Sequence, residues 1–147
     1  MTRTAQLFAL SLTAVSLLTA PAFAAPPQPA SLFSDHMVLQ RDAAVPVWGT
    51  AEPANEVTVQ FAGQSVATKA GNDGTWKLSL KPLESSATPA ELTVSSDGKT
   101  VTIKNVLVGD VWIGSGQSNM AGRAASYAKN DETLAALVKQ GSFPTIR

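Results

Sequence analysis

Between residues 32 and 106 the apolar positions recur every second residue. Val57-Thr58-Val59-Gln60-Phe61 and Trp76-Lys77-Leu78-Ser79-Leu80 alternate strictly, and Leu92-Thr93-Val94 and Val101-Thr102-Ile103 alternate over shorter spans, so each stretch offers one apolar face. Turn-forming residues separate them: Ala62-Gly63, Gly71-Asn72-Asp73-Gly74 and Asp97-Gly98, the last favouring a two-residue hairpin. Short strands, regular turns and no helical period predict an N-terminal antiparallel β-sandwich over residues 25–106. Met37, Leu39, Val47, Val57, Val59, Trp76, Leu78, Leu92, Val94 and Ile103 are expected to face inward.

After residue 106 the pattern changes. Val106-Leu107-Val108, Gly109-Asp110 and Val111-Trp112-Ile113 form a nearly continuous apolar run, which suits a strand buried on both faces, as in a parallel sheet. A helix signal follows, with Asn130 or Asp131 as N-cap, Glu132 in the first turn, Leu134, Leu137 and Val138 on one face, and Gly141 just past the end. Phe143-Pro144-Thr145-Ile146-Arg147 reads as the start of another strand. Residues 107–147 are thus the opening β-α unit of an α/β domain. One strand with one helix cannot cover its own apolar faces, so the expectation is a truncated domain.

The first 24 residues carry a third pattern. Arg3 precedes an apolar run over residues 7–18, and Ala22-Phe23-Ala24 supplies the small-x-small residues of a cleavage site, which together read as a signal peptide. A membrane anchor is the alternative, but the run is broken by Ser11, Thr13 and Ser16 and falls short of the ~20 residues that span a bilayer. The expectation is export to the periplasm or the extracellular space, with no membrane association after cleavage. Pro26-Pro27-Gln28-Pro29 makes an extended lead into the fold.

Composition narrows the chemistry. Zero formal net charge and 6% aromatic residues leave no basic stripe or stacking platform for nucleic acid. The absence of cysteine removes disulfides and thiolate zinc sites, and a single histidine with scattered carboxylates assembles no metal site. No cofactor is expected.

The stretch with chemical promise is Gly114-Ser115-Gly116-Gln117-Ser118-Asn119-Met120. It places Ser118 where an apolar strand gives way to a helix-compatible run, with glycines that allow close approach and free N–H groups nearby. Such a serine can be a nucleophile if a base and oxyanion donors face it. It can also simply cap a helix beside a tight turn. The G-x-S-x-G elbow fails because Met120 stands where glycine is needed, the dinucleotide G-x-G-x-x-G fails at Asn119, and no Gly-Lys-Ser/Thr of a P-loop follows. His36, the lone histidine, is the one local candidate for a base, yet it reads better as a turn residue between Asp35 and Met37. Asp35, Arg41 and Asp42 read as a solvated strand end. Trp48 and Trp76 could stack on a sugar, though the register of Trp76 fits core packing.

Three blocks carry a resemblance. Gly109-Asp110-Val111-Trp112-Ile113-Gly114-Ser115-Gly116-Gln117-Ser118-Asn119-Met120 resembles the nucleophile block of the sialate O-acetylesterase family, a branch of the SGNH (GDSL-like) hydrolases. Leu32-Phe33-Ser34-Asp35-His36-Met37-Val38-Leu39-Gln40-Arg41 and Val45-Pro46-Val47-Trp48-Gly49 resemble the same family's N-terminal signatures, in the same order. The resemblance implies a sandwich followed by a flavodoxin-like α/β/α hydrolase domain, begun at residue 107 and incomplete. It makes Ser118 the acyl-accepting nucleophile with its own N–H as one oxyanion donor, and Gly116, Gln117 and Asn119 residues that shape the loop. The family's remaining donors, a glycine and an asparagine, and the Asp-x-x-His block that carries the base have no counterpart among these residues, and Asn119 is not that asparagine. Ala121-Gly122-Arg123 depart from the family's usual continuation. The implied activity is hydrolysis of acetyl esters on sugars, without cofactor, by a longer protein of which this chain is an inactive N-terminal fragment. The sandwich would brace the hydrolase domain. The alternative is a secreted module that binds glycan or protein without catalysis. Which acetylated sugar is used, and the oligomeric state, are not legible.

Overall fold

The computed structural model describes residues 25–147, so the expected signal peptide, residues 1–24, lies outside the described residues. Two turns fix the register of the larger sheet. Ala62 and Gly63, at φ 47° and 76°, close a hairpin between β4 (Glu56–Phe61) and β5 (Gln64–Lys69). Asp97 and Gly98, at φ 48° and 70°, close the hairpin between β7 (Ser86–Ser96) and β8 (Lys99–Gly109), pairing Ser96 with Lys99. Two successive residues at positive φ give the turn whose twist matches that of paired strands, as the Asp97-Gly98 dipeptide predicts.

The remaining strands are β1 (Gln28–Pro29), β2 (Val38–Gln40), β3 (Val45–Thr50) and β6 (Thr75–Leu80). One sheet has three strands in the order β1-β3-β6, and the other has five in the order β2-β8-β7-β4-β5. The Gly71-to-Gly74 turn carries the chain from β5 in one sheet to β6 in the other. Alternation does what the sequence predicts. Val47, Leu78 and Leu80 of the smaller sheet and Val57, Val59, Leu92 and Val94 of the larger belong to one buried core. Each such side chain contributes about 1.5–3 kcal/mol of burial free energy. Of the ten residues expected inward, all but Met37 are buried, and Met37 packs half-buried against the same core. Gly49 is required by close approach, since a side chain there would collide with the carbonyl of Gln28.

Three features differ from the sequence reading. The pairs are antiparallel except for β2, which runs parallel to β8 with Val38 opposite Leu107 and Gln40 opposite Gly109. β8 itself continues past residue 106 to Gly109, so Val106, Leu107 and Val108 are buried in the two-sheet body. The expected two-faced strand at Val111-Trp112-Ile113 does not form, and Trp112 and Ile113 are 87% and 94% exposed. Among the described residues no strand lies beside this segment, and an extended apolar run becomes a buried strand only where neighbours pair with its backbone and cover its faces.

The rest of the chain is helical in short pieces: α1 (Ser118–Ala121), α2 (Ala124–Tyr127), one 3₁₀ turn (Ala128–Asn130) and α3 (Glu132–Gln140). The caps of α3 are those the sequence predicts. The Asp131 carboxylate accepts from the Leu134 N–H at 2.9 Å, and Gly141 ends the helix in the left-handed region at φ 72°. No residue of α3 is buried, and residues 143–147 form no strand.

Candidate active site around Ser118

The approach to Ser118 begins where β8 ends. Parallel pairing brings the end of β2 alongside Gly109, and the Arg41 N–H donates to the Gly109 carbonyl at 2.9 Å. Beyond the last ladder bond, side chains take over. Gln40 Oε1 accepts from the Val111 N–H at 2.9 Å, and Arg41 Nε donates to Asp110 Oδ1 at 3.0 Å. Arg41 Nη1 also donates to Asp42 Oδ2 at 2.6 Å, while the Asp42 N–H donates to the Leu83 carbonyl at 2.9 Å. The hydrogen bond to Asp110, then its charge and that of Asp42, push the Arg41 guanidinium above its already high ordinary value. The pair is solvent-exposed and screened, so its weight is geometric more than energetic. Arg41 and Asp42 stand at a solvated strand end, as the sequence predicts, and what the sequence leaves out is the meeting of Arg41 with Asp110 and of Gln40 with Val111.

Ser118 opens α1. The Gln117 carbonyl accepts from the N–H groups of Met120 and Ala121 at 3.0 and 3.4 Å, which starts the helical turn. Ser118 is exposed, and among the described residues neither its N–H nor its hydroxyl makes a hydrogen bond, so its side chain is not spent on a cap. Gly114 and Gly116 make room for Met120: a Cβ at Gly116 would stand 2.6 Å from Met120 Cγ, and one at Gly114 would stand 3.1 Å from its Cε. The backbone of Asn119 lies in α1.

His36 is occupied elsewhere. Its Nδ1 lies 2.6 Å from Asn105 Nδ2 of β8 and 3.3 Å from Arg147 Nη1, where the turn before β2 meets β8 and both His36 and Asn105 adopt positive φ. Asp35 supports the same turn, with Oδ1 accepting from the Lys104 N–H at 2.7 Å. No hydrogen bond joins His36 to Ser118 among the described residues. Of the two tryptophans, Trp76 pairs with Gly49 and is buried in the core, as its register predicts, whereas Trp48, one residue earlier on β3, is half-buried against the same core and meets Phe33 edge-on at 4.9 Å; both border one concavity beside β1.

No family model matches the chain. It is 36% identical over 102 aligned residues to the sialate O-acetylesterase of Homo sapiens, covering 62% of this chain and 19% of that protein. Against the sialate O-acetylesterase of Rattus norvegicus the identity is 34% over 101 residues, with the same coverage. Among solved structures it is similar to a carbohydrate acetylesterase from Xanthomonas citri, with a TM-score of 0.66 and 37% identity, over 75% of this chain and 25% of that one. The chain spans about a fifth of the length of the curated relatives it matches. Over the parts it shares with these proteins, the chain resembles sialate O-acetylesterases in sequence and a carbohydrate acetylesterase in fold.

Proposed function

We propose that the chain is the nucleophile-bearing part of an exported carbohydrate O-acetylesterase, a β-sandwich followed by the opening segment of an SGNH hydrolase domain. The observation that carries this reading is the state of Ser118: exposed, without a hydrogen bond through N–H or hydroxyl among the described residues, and set after a glycine-rich segment at the start of a helical turn. The named relatives act in its favour, since one is called a carbohydrate acetylesterase and others are sialate O-acetylesterases.

In this reading a histidine outside these residues removes the Ser118 proton as the oxygen attacks the acetyl carbonyl. The oxyanion rests on the Ser118 N–H and on donors from the rest of the hydrolase domain. The C–O bond to the sugar breaks, the imidazolium returns the proton to the departing sugar oxygen, and water then releases acetate from the acetyl-serine by the reverse sequence. Gly116, Gln117 and Asn119 shape the loop. The substrate class is an O-acetylated sugar, whether sialic acid or a wall polysaccharide such as xylan.

The test is release of acetate from O-acetylated sugars by the full-length protein and its Ser118→Ala variant. Loss of the nucleophile lowers the rate by about 10³-fold or more. A variant that keeps near-normal turnover sinks the assignment. The 147-residue chain by itself is expected to show no turnover, because its lone histidine is engaged by Asn105 and Arg147.

A further inference from the structure

The sequence leaves Gln40 and Arg41 without a role, yet they are the residues that hold the chain as it departs from the two-sheet body. After Gly109 the ladder ends, and three consecutive residues are caught from β2 and its extension: Gly109 through its carbonyl, Asp110 through its carboxylate, Val111 through its N–H. From Trp112 to Gly116 no hydrogen bond holds the chain among the described residues, and the next bonded group is the Gln117 carbonyl. The position and direction with which the chain starts toward Ser118 are therefore set at Asp110 and Val111. Those two residues are in turn set by Gln40 and Arg41.

We propose that Gln40 and Arg41 are positioning residues for the nucleophile: a two-point clamp through which the sandwich fixes the lead-in to the Ser118 turn. The inference rests on the reading of Ser118 as nucleophile. Its chemistry follows from the partners. A glutamine oxygen accepting from a backbone N–H beyond the last ladder bond extends the sheet by one side-chain rung, and a guanidinium shared by Asp110 and Asp42 fixes the residue before it. Clamping matters because attack needs the reacting atoms in near-contact alignment, and a misplacement of about 1 Å can lower the rate by ~10²-fold. Such a clamp acts on kcat, since it places the attacking oxygen and leaves the substrate's own contacts alone.

The experiment has two readouts. In the 147-residue chain, amide hydrogen exchange at Val111 is compared for wild type, Gln40→Leu and Gln40→Glu, with Val59 and Val94 in the core as controls for an intact body. Gln40→Leu removes the acceptor and is expected to speed Val111 exchange about tenfold, whereas Gln40→Glu keeps an oxygen and restores protection. Equal exchange in wild type and Gln40→Leu, or no rescue by Gln40→Glu, overturns the clamp. If the core controls lose protection in Gln40→Leu, Asp110→Ala removes the acceptor for Arg41 just past β8 and tests the second point, with faster exchange at Val111 expected and unchanged exchange overturning the clamp. In the full-length protein, Gln40→Leu is expected to lower kcat by about tenfold or more with KM unchanged, and Gln40→Glu to recover it. Ser118-dependent hydrolysis with an unaltered kcat in Gln40→Leu overturns positioning while leaving the proposed activity standing. Wild-type protein without Ser118-dependent hydrolysis overturns the activity, and the positioning role with it, and faster exchange then describes a structural clamp only.

Discussion

Residues 25–109 and residues 110–147 have similar apolar raw material and opposite fates. In the first region the apolar side chains close on one another across two sheets, and all of the buried hydrophobic residues among those described lie there. In the second, Val111, Trp112, Ile113, Met120, Tyr127, Leu137, Val138 and Ile146 stand exposed, and Leu32 is the one large apolar residue so exposed in the first. The difference lies in partners. A strand buries its face when another strand pairs its backbone and a second sheet covers it, and residues 25–109 supply both from within. Residues 110–147 supply a capped helix and an extended apolar segment, and neither finds a surface among the described residues.

The sharpest way to break this contrast is to truncate one leucine in each region. Leu92 is fully buried at the centre of the larger sheet, and Leu92→Ala is expected to lower stability by about 2–5 kcal/mol in urea unfolding. Leu137 on α3 is 44% exposed, and Leu137→Ala is expected to move the same transition by less than about 0.5 kcal/mol. Comparable losses at the two sites would mean that α3 packs on the body after all.

A smaller effect separates local from tertiary order within the second region. Asp131 caps α3 through the Leu134 N–H, so Asp131→Ala is expected to speed amide exchange across Glu132–Gln140 about fivefold. The urea midpoint of the two-sheet body should not move. A shifted midpoint would tie the helix to the core.

These two regions also mark what the chain's pattern can and cannot convey. Period-two alternation reports which face of a strand is apolar, and it located Val57, Val59, Leu78, Leu92 and Val94 correctly; Asp97-Gly98 carried its hairpin in the dipeptide itself. The caps of α3 were legible because capping is a local hydrogen-bond problem, solved by Asp131 and Gly141 within a turn of the helix ends. What alternation omits is the identity of the neighbour. The parallel pairing of β2 with β8 joins residues 69 positions apart, as Val38 and Leu107 show, and nothing in either segment names the other. The run from Val106 to Ile113 looked uniform in hydropathy, yet it divides at Gly109 into a buried strand end and an exposed lead toward Ser118. The clamp by Gln40 and Arg41 was hidden for the same reason. The role proposed for Ser118 rests on its block's resemblance to a family, together with a hydroxyl that makes no hydrogen bond among the described residues.

The smallest expected effect is an acid weakness in the body itself, at the turn that passes the chain between its sheets. Asp73 accepts from the Thr75 N–H at 3.0 Å and from the Thr75 hydroxyl at 2.8 Å, both on Oδ1. The backbone bond first, then the hydroxyl bond, holds the Asp73 carboxyl below its ordinary value of 3.8. A carboxylate held lower in the folded than in the unfolded chain adds stability that is fully present above 3.8 and is lost as pH falls through the folded value. Asp73→Asn keeps an acceptor oxygen and removes the charge, so wild type should have the higher urea midpoint at pH 7, and the gap should close as the medium is acidified well below 3.8. Because the carboxylate is solvent-exposed, the gap is small, and only its pH dependence is diagnostic. A gap that persists unchanged into acid would mean that the turn is held by shape alone, through the positive φ of Gly74 and the Gly74 N–H bond to Gly71.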